Sequence, residues 1–430
     1  MMKPDRMAPY RMYTSAFALM VSVVGSGLLG LVYWDVAAHL ASPKSVGRAA
    51  GEIAAITLLS TLAQLSFGPV FQRFLPRAGE RSATLVKTGY SMSVITALLV
   101  GAGYIALGFT HRFFASSPSA DALFLDTIVF YTVFALQDAV LISLRVARWV
   151  AVENILFGVA KLALLFPLAT YLLGQGIVIS WTIPLVVTIG AVNWYIFGSR
   201  LKTHVRTSTH SEALPSLRRM LTLSIPQFAG TVLSIFSTSV VSLIVIAKLG
   251  DVANAHYFLV AQVAIAPTLF IWSISRLLIV EISHDPLKQR RHIFQSTTAM
   301  SVVTIVSIVV GVVFAHQILS LFGAAYANEG TTLLRLLLLS LPGTVAVATY
   351  AALAWVDGRV WFLMVREGMS MLVYLVLVLV LIRHHGINSV GYAALSTSVV
   401  EFLIFVPLCV TRVRSVAKVP DNQPTNEASN

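Results

Sequence analysis

Twelve apolar stretches, each about as long as a helix that crosses a bilayer, follow one another along this chain with only short polar segments between them. A helix needs about 20 apolar residues to cover the hydrocarbon core. Lipid cannot satisfy an exposed backbone group, so a spanning segment must be a helix or a closed barrel. A barrel calls for alternating strands of about 10 residues, and no such alternation is present. The sequence therefore predicts an all-α polytopic membrane protein of about twelve transmembrane helices. Composition agrees: 57% of the residues are hydrophobic and 11% charged, with a mean hydropathy of +0.83, against the roughly 25% charged residues of a soluble domain.

The predicted spans are 12–34, 50–71, 88–109, 124–144, 150–173 and 180–198, then 224–248, 255–279, 296–316, 332–356, 366–383 and 392–410. The first is longer than a signal-peptide core and is followed by many others, so it reads as a retained helix. With the N-terminus placed in the cytoplasm, 22 of the 30 Lys and Arg fall on the cytoplasmic side, and six (Lys44, Arg48, Arg112, Lys248, Arg335, Arg383) fall outside. Cytoplasmic loops collect positive charge, so both termini are expected in the cytoplasm. The net charge of +12 is then topogenic, and no nucleic-acid partner is implied.

The longest polar stretch between spans, 199–223, divides six spans from six. It is read as a cytoplasmic linker between two pseudo-symmetric lobes, 1–198 and 224–415, with a disordered tail at 416–430. A faint repeat supports the division. Ala38-His-Leu-Ala-Ser-Pro-Lys-Ser-Val46 resembles Ala247-Lys-Leu-Gly-Asp-Val-Ala-Asn-Ala255. Gln72-Arg73-Phe74-Leu75 likewise resembles Ser275-Arg276-Leu277-Leu278. Parallel six-helix repeats of this kind are related by an axis along the membrane normal.

The motifs of enzymes are missing. There is no Walker-type phosphate loop, no His-Glu-x-x-His and no Gly-x-Ser-x-Gly, so no catalytic residues, cofactor or metal are assigned, and the chain is read as a non-enzyme. The single cysteine, Cys409, excludes an intrachain disulfide. Ionisable groups within spans are the candidate site, because each costs roughly 2.5–3.5 kcal/mol to insert. Lys161 is the sharpest, with Asp138 in the preceding helix and Glu401 in the last. Lys161 either pairs with Asp138 or Glu153 or faces a wet cavity; Arg73 and Arg276 either snorkel to head groups or line the same cavity. Glu401 reads more readily as an interhelical hydrogen bond.

A family resemblance rests on Gly25-Ser-Gly-Leu-Leu-Gly-Leu-Val-Tyr-Trp34, Leu40-Ala-Ser-Pro-Lys-Ser-Val-Gly47, Leu65-Ser-Phe-Gly-Pro-Val-Phe-Gln-Arg-Phe-Leu-Pro-Arg77, Trp149-Val-Ala-Val-Glu-Asn-Ile-Leu-Phe-Gly-Val-Ala-Lys161 and Leu321-Phe-Gly-Ala-Ala-Tyr326. Together these resemble bacterial polysaccharide flippases of the multidrug/oligosaccharidyl-lipid/polysaccharide exporter superfamily. The resemblance implies a V of two six-helix lobes in the cytoplasmic membrane, opening alternately to each side. It also implies a polyprenyl-pyrophosphate-linked glycan as substrate, and membrane lipids and other polysaccharide-assembly proteins as partners. A basic cavity, carried here by Arg73, Lys161 and Arg276, follows from the same resemblance. The alternatives are a drug or small-metabolite exporter driven by a proton or sodium gradient and, less in keeping with the short outer loops, a membrane glycan polymerase or ligase.

Overall fold

The computed structural model describes residues 25–114, 117–146, 148–172, 175–207, 214–284 and 288–416. Residues 12–24 of the first expected span and the tail from 417 lie outside the described residues. Among the described residues there is no strand, and eleven helical segments are long and apolar enough to cross a membrane. The chain is a multi-pass helical membrane protein.

In chain order the first half contains α1 (25–40), α2 (Pro43–Ala63), the short α3 (Phe67–Phe74), α4 (Ser82–Ala106), a single turn α5 (Phe109–Phe113), α6 (Pro118–Ser143), α7 (Arg148–Tyr171) and α8 (Gly176–Tyr195). A π-turn at Ile196–Arg200 carries α8 into α9 (Leu201–Thr207). The second half contains α10 (Leu217–Leu249), α11 (Asp251–His284), α12 (Gln289–Ser320), α13 (Ala324–Leu339), α14 (Leu341–Val356), α15 (Val360–His385) and α16 (Asn388–Val416). Helix starts follow local chemistry. Ser42 and Ser117 cap α2 and α6, each followed by Pro at the first helical position, where a missing N–H costs nothing.

Three features depart from the expected spans. The stretch 50–71 is two helices, because Leu65 and Ser66 take left-handed φ values of 48° and 70° and end α2 there. Non-glycine residues avoid this region, so no residue type announces the break. The stretch 332–356 is also divided, at Ser340, where Pro342 starts α14. The backbone there is satisfied across the bundle. Ser398 donates to the Ser340 carbonyl at 2.5 Å, and the Gly343 N–H donates to Ser398 Oγ at 3.1 Å. Third, helix enters the interval 199–223 from both ends, to Thr207 and from Leu217. Its basic residues Lys202, Arg218 and Arg219 are exposed, so a helix can carry them past the apolar core without burying charge.

The two halves meet along α2, which packs on α10 and α11, with α3 also on α10. Helix α2 is the most buried span, and α15 and α16 are among the least. Its sequence explains the difference. Gly47, Ala49, Ala50, Gly51, Ala54 and Ala55 let neighbouring backbones approach closely, as small residues do in membrane helix packing.

Candidate functional site

At the seam between the halves is a cavity of about 380 Å³. Its aromatic walls are Trp34 and Trp181 from the first half and Tyr257, Phe258 and Tyr374 from the second. Its polar groups include the hydroxyls of Thr57, Thr238, Ser239, Ser242, Thr268, Ser340 and Thr344 and the amide of Gln262. Among the described residues no charged side chain lines it. Such a lining offers neutral hydrogen bonds and flat ring faces rather than ion pairs.

Beside this cavity the two halves close on each other at short range. The corner between α1 and α2 meets the corner between α10 and α11, the same two segments that form the faint sequence repeat. Asn254 Nδ2 donates to the Gly47 carbonyl at 2.7 Å, and Ser242 Oγ donates to Asn254 Oδ1 at 2.7 Å. Arg48 bridges to Asp251 at 3.1 Å. Gly47 is required by contact. A Cβ there would stand 1.7 Å from the Asp251 carbonyl oxygen. Ser242 belongs to both the closure and the cavity wall.

None of the five sequence candidates lines the cavity. Lys161, buried in α7, lies one ring behind it. Its ammonium is 4.1 Å from the centroid of the Trp181 indole, 5.0 Å from Tyr33 and 5.2 Å from Phe157. Among the described residues it forms no ion pair. The carboxylates weighed as its partners are engaged elsewhere. Asn154 Nδ2 donates to Asp138 at 3.3 Å, and Gln137 Nε2 donates to Glu153. Asn193 in turn donates to Gln137 at 3.1 Å, so a polar network joins α6, α7 and α8. Tyr33 is held by its own hydroxyl, 2.7 Å from Ser180 Oγ and 3.0 Å from the Ile177 carbonyl.

The other candidates scatter. Glu401 accepts from Arg366 at 2.8 Å and Ser370 at 2.7 Å, tying α15 to α16. Arg73 is exposed, with its guanidinium 5.5 Å from the Phe74 ring. Arg276 is exposed on α11, next to Ser275, whose hydroxyl reaches the Ala348 carbonyl at 2.8 Å. The break after α2 also separates their settings: Arg73 sits in a short helix of its own, Arg276 in an uninterrupted one.

Sequence reasoning missed Trp181, Gly47 and Asn254. A Trp near a span end reads as an interfacial anchor, which conceals a cavity wall. The repeat segment ending at Ala255 was the only signal for the closure, and it gave no indication that the two copies touch.

No protein-family model matches the chain, and no curated protein matches it. Solved structures do resemble it along nearly its whole length. The lipid II flippase MurJ in an inward closed conformation aligns with TM-score 0.73 at 15% identity, over 93% of this chain and 90% of that one. The multidrug transporter DinF-BH, of the MATE type, in complex with R6G aligns with TM-score 0.65 at 15% identity, over 96% and 98%. An inward-facing MATE transporter of the MOP superfamily aligns with TM-score 0.65 at 14% identity, over 94% and 96%. These are transporters and a flippase, not enzymes. The chain has the fold that MATE transporters share with the lipid II flippase MurJ.

Proposed function

We propose that this protein is a transporter of the bacterial cytoplasmic membrane, both termini inside, that moves a polyprenyl-pyrophosphate-linked oligosaccharide or related anionic glycolipid outward by alternating access. One observation carries the reading: a buried ammonium with no carboxylate partner among the described residues stands directly behind a neutral, hydroxyl- and aromatic-lined cavity. The hydroxyls and ring faces suit sugar. Lys161 suits the phosphate. Coulomb's law at an effective dielectric of 20 gives about 2 kcal/mol for an anion roughly 8 Å away, across the Trp181 ring. That is enough to favour an anionic head group over a cation. The two six-helix halves act as rocking bodies, and the Gly47–Asn254 closure seals the outer end while the inner end loads. Coupling to a proton or sodium gradient would fall to the Asp138 network.

The test is a vesicle assay with purified protein and a short-chain polyprenyl-pyrophosphate disaccharide. Lys161→Ala should abolish flipping at unchanged protein level, and Lys161→Arg should keep part of it. The second reading, a small-molecule exporter, draws on the modest volume and aromatic lining, since small-molecule sites run from about 300 to 1,000 Å³. Vesicles that export an aromatic dye but leave the glycolipid unmoved would establish that reading instead.

A further inference from the structure

A second and larger hollow, about 950 Å³, opens on the outside of the second half between α12, α14 and α16. It shares no lining residue with the central cavity. Helix α14 is the wall between them: Pro342, Val345, Ala346 and Thr349 face the hollow, while Leu341 and Thr344 face the cavity. The hollow is two-toned. Its floor is apolar, from Phe294 on α12 to Phe402, Val406 and Val410 on α16. Its mouth is cationic, with Arg290 and Arg291 from the first turn of α12 and Arg414 from the last turn of α16. All three arginines are exposed, and none forms an ion pair among the described residues. Among the described residues no Asp or Glu lines the hollow.

Length selects the occupant. The lining on α12 runs from Arg290 to Ser301, which at 1.5 Å per residue is about 16 Å. That is half of the roughly 30 Å hydrocarbon core, or the depth of one leaflet. The cations lie at the end of the bundle where Lys and Arg concentrate. Basic pockets between membrane helices on the cytoplasmic side recognise anionic lipid head groups. We propose that this hollow is a binding site for one anionic diacyl phospholipid of the inner leaflet. Its phosphate sits on Arg290, Arg291 and Arg414, and an acyl chain lies over Phe294, Val406 and Val410. The lipid bears on the helix that also walls the central cavity, and it is distinct from the transported substrate.

The experiment titrates the purified full chain with dioleoyl phosphatidylglycerol or dioleoyl phosphatidylethanolamine and counts bound lipids by native mass spectrometry. The wild type should hold one phosphatidylglycerol at least tenfold more tightly than phosphatidylethanolamine. Each arginine near the surface should contribute about fivefold, the equivalent of about 1 kcal/mol. The triple variant R290Q/R291Q/R414Q should therefore lose roughly a hundredfold for phosphatidylglycerol and little for phosphatidylethanolamine. Val410→Trp fills the floor with all charges intact and should lower phosphatidylglycerol occupancy as well. A phosphatidylglycerol carrying a diazirine on its acyl chain should label 289–301 and 402–413 in the unmutated protein, a readout independent of how any variant folds. Equal binding of the two lipids, an unchanged triple variant, undiminished binding in Val410→Trp, or labelling elsewhere would each overturn the proposal.

Discussion

Gly47→Ala should force apart the contact between the halves beside the central cavity, and the structure sets the size of the effect. The added Cβ would lie 1.7 Å from the Asp251 carbonyl oxygen, where ordinary contact begins near 3.4 Å. The neighbouring atoms are backbone, so no rotamer relieves the clash, and α2 must retreat from α11 by about 1.7 Å, the shortfall in that contact. A movement of that size takes the Asn254–Gly47 bond from 2.7 Å and the Arg48–Asp251 pair from 3.1 Å out of hydrogen-bonding range. Overpacking costs typically 1–3 kcal/mol, and each bond about 0.5–1.5 kcal/mol net. A combined penalty of about 3 kcal/mol shifts the closed-to-open ratio by roughly two orders of magnitude.

Gly51→Ala is the internal control. Its Cβ would meet the Ile246 Cδ1 methyl at 2.1 Å, the tip of a side chain that can turn away, so the same chemical change one helical turn on should leave the closure nearly intact. Spin labels at Lys44 and Lys248, both exposed beside this contact, in a Cys409→Ser background would report the separation by pulsed electron resonance. Gly47→Ala should broaden the distance distribution and move it outward; Gly51→Ala should not. Identical distributions in the two variants, with both at wild-type abundance, would refute the reasoning.

Three further outcomes are expected. Arg366→Ala strips the guanidinium that Glu401 and Glu367 share, leaving Glu401 with Ser370, and should destabilise by about 3–5 kcal/mol, seen as a lowered melting temperature; Arg366→Leu with Glu401→Leu should recover part of it, with Glu367 still left to solvent, and an unchanged melt in the single variant would count against the cluster. Trp181→Leu removes the ring 4.1 Å from Lys161 and should cost about 1–2 kcal/mol of thermal stability that Trp181→Phe largely retains, so equal melts for the two would argue that the ring face contributes nothing. Cysteines at the exposed positions Ser42 and Asn328 should react with an impermeant maleimide from outside the cell, and one at Lys202 should not; labelling of Lys202 from outside would invert the orientation.

What the sequence disclosed, and what it hid, divides along a physical line. Span length and loop charge depend only on neighbouring residues and the surrounding solvent, so the helical membrane fold could be read from composition along the chain. The division at Ser340 had its Pro342 as a signal, but the break at Leu65 and Ser66 had none, since both residues are ordinary and only the packing holds them left-handed. Partners were the least legible. Lys161 and Phe157 are four residues apart, which predicts a shared helix face. Tyr33 and Trp181, however, reach the ammonium from α1 and α8, and no spacing rule links those positions. Arg366 and Glu401 likewise meet from different helices, 35 residues apart.

The two charged sites answer the same insertion cost in opposite ways, and the difference bears on which of them can do work. Glu401 accepts from the Arg366 guanidinium, which it shares with Glu367, and from the Ser370 hydroxyl, so its partners are already in place and they tie α15 to α16. Lys161 is surrounded by ring faces, which stabilise a cation through their quadrupoles without cancelling its charge. An ammonium so held keeps its field. The Trp181 indole stands between that ammonium and a cavity lined, among the described residues, by neutral groups. Under the proposed function it is therefore Lys161, not Glu401, whose charge bears on the substrate.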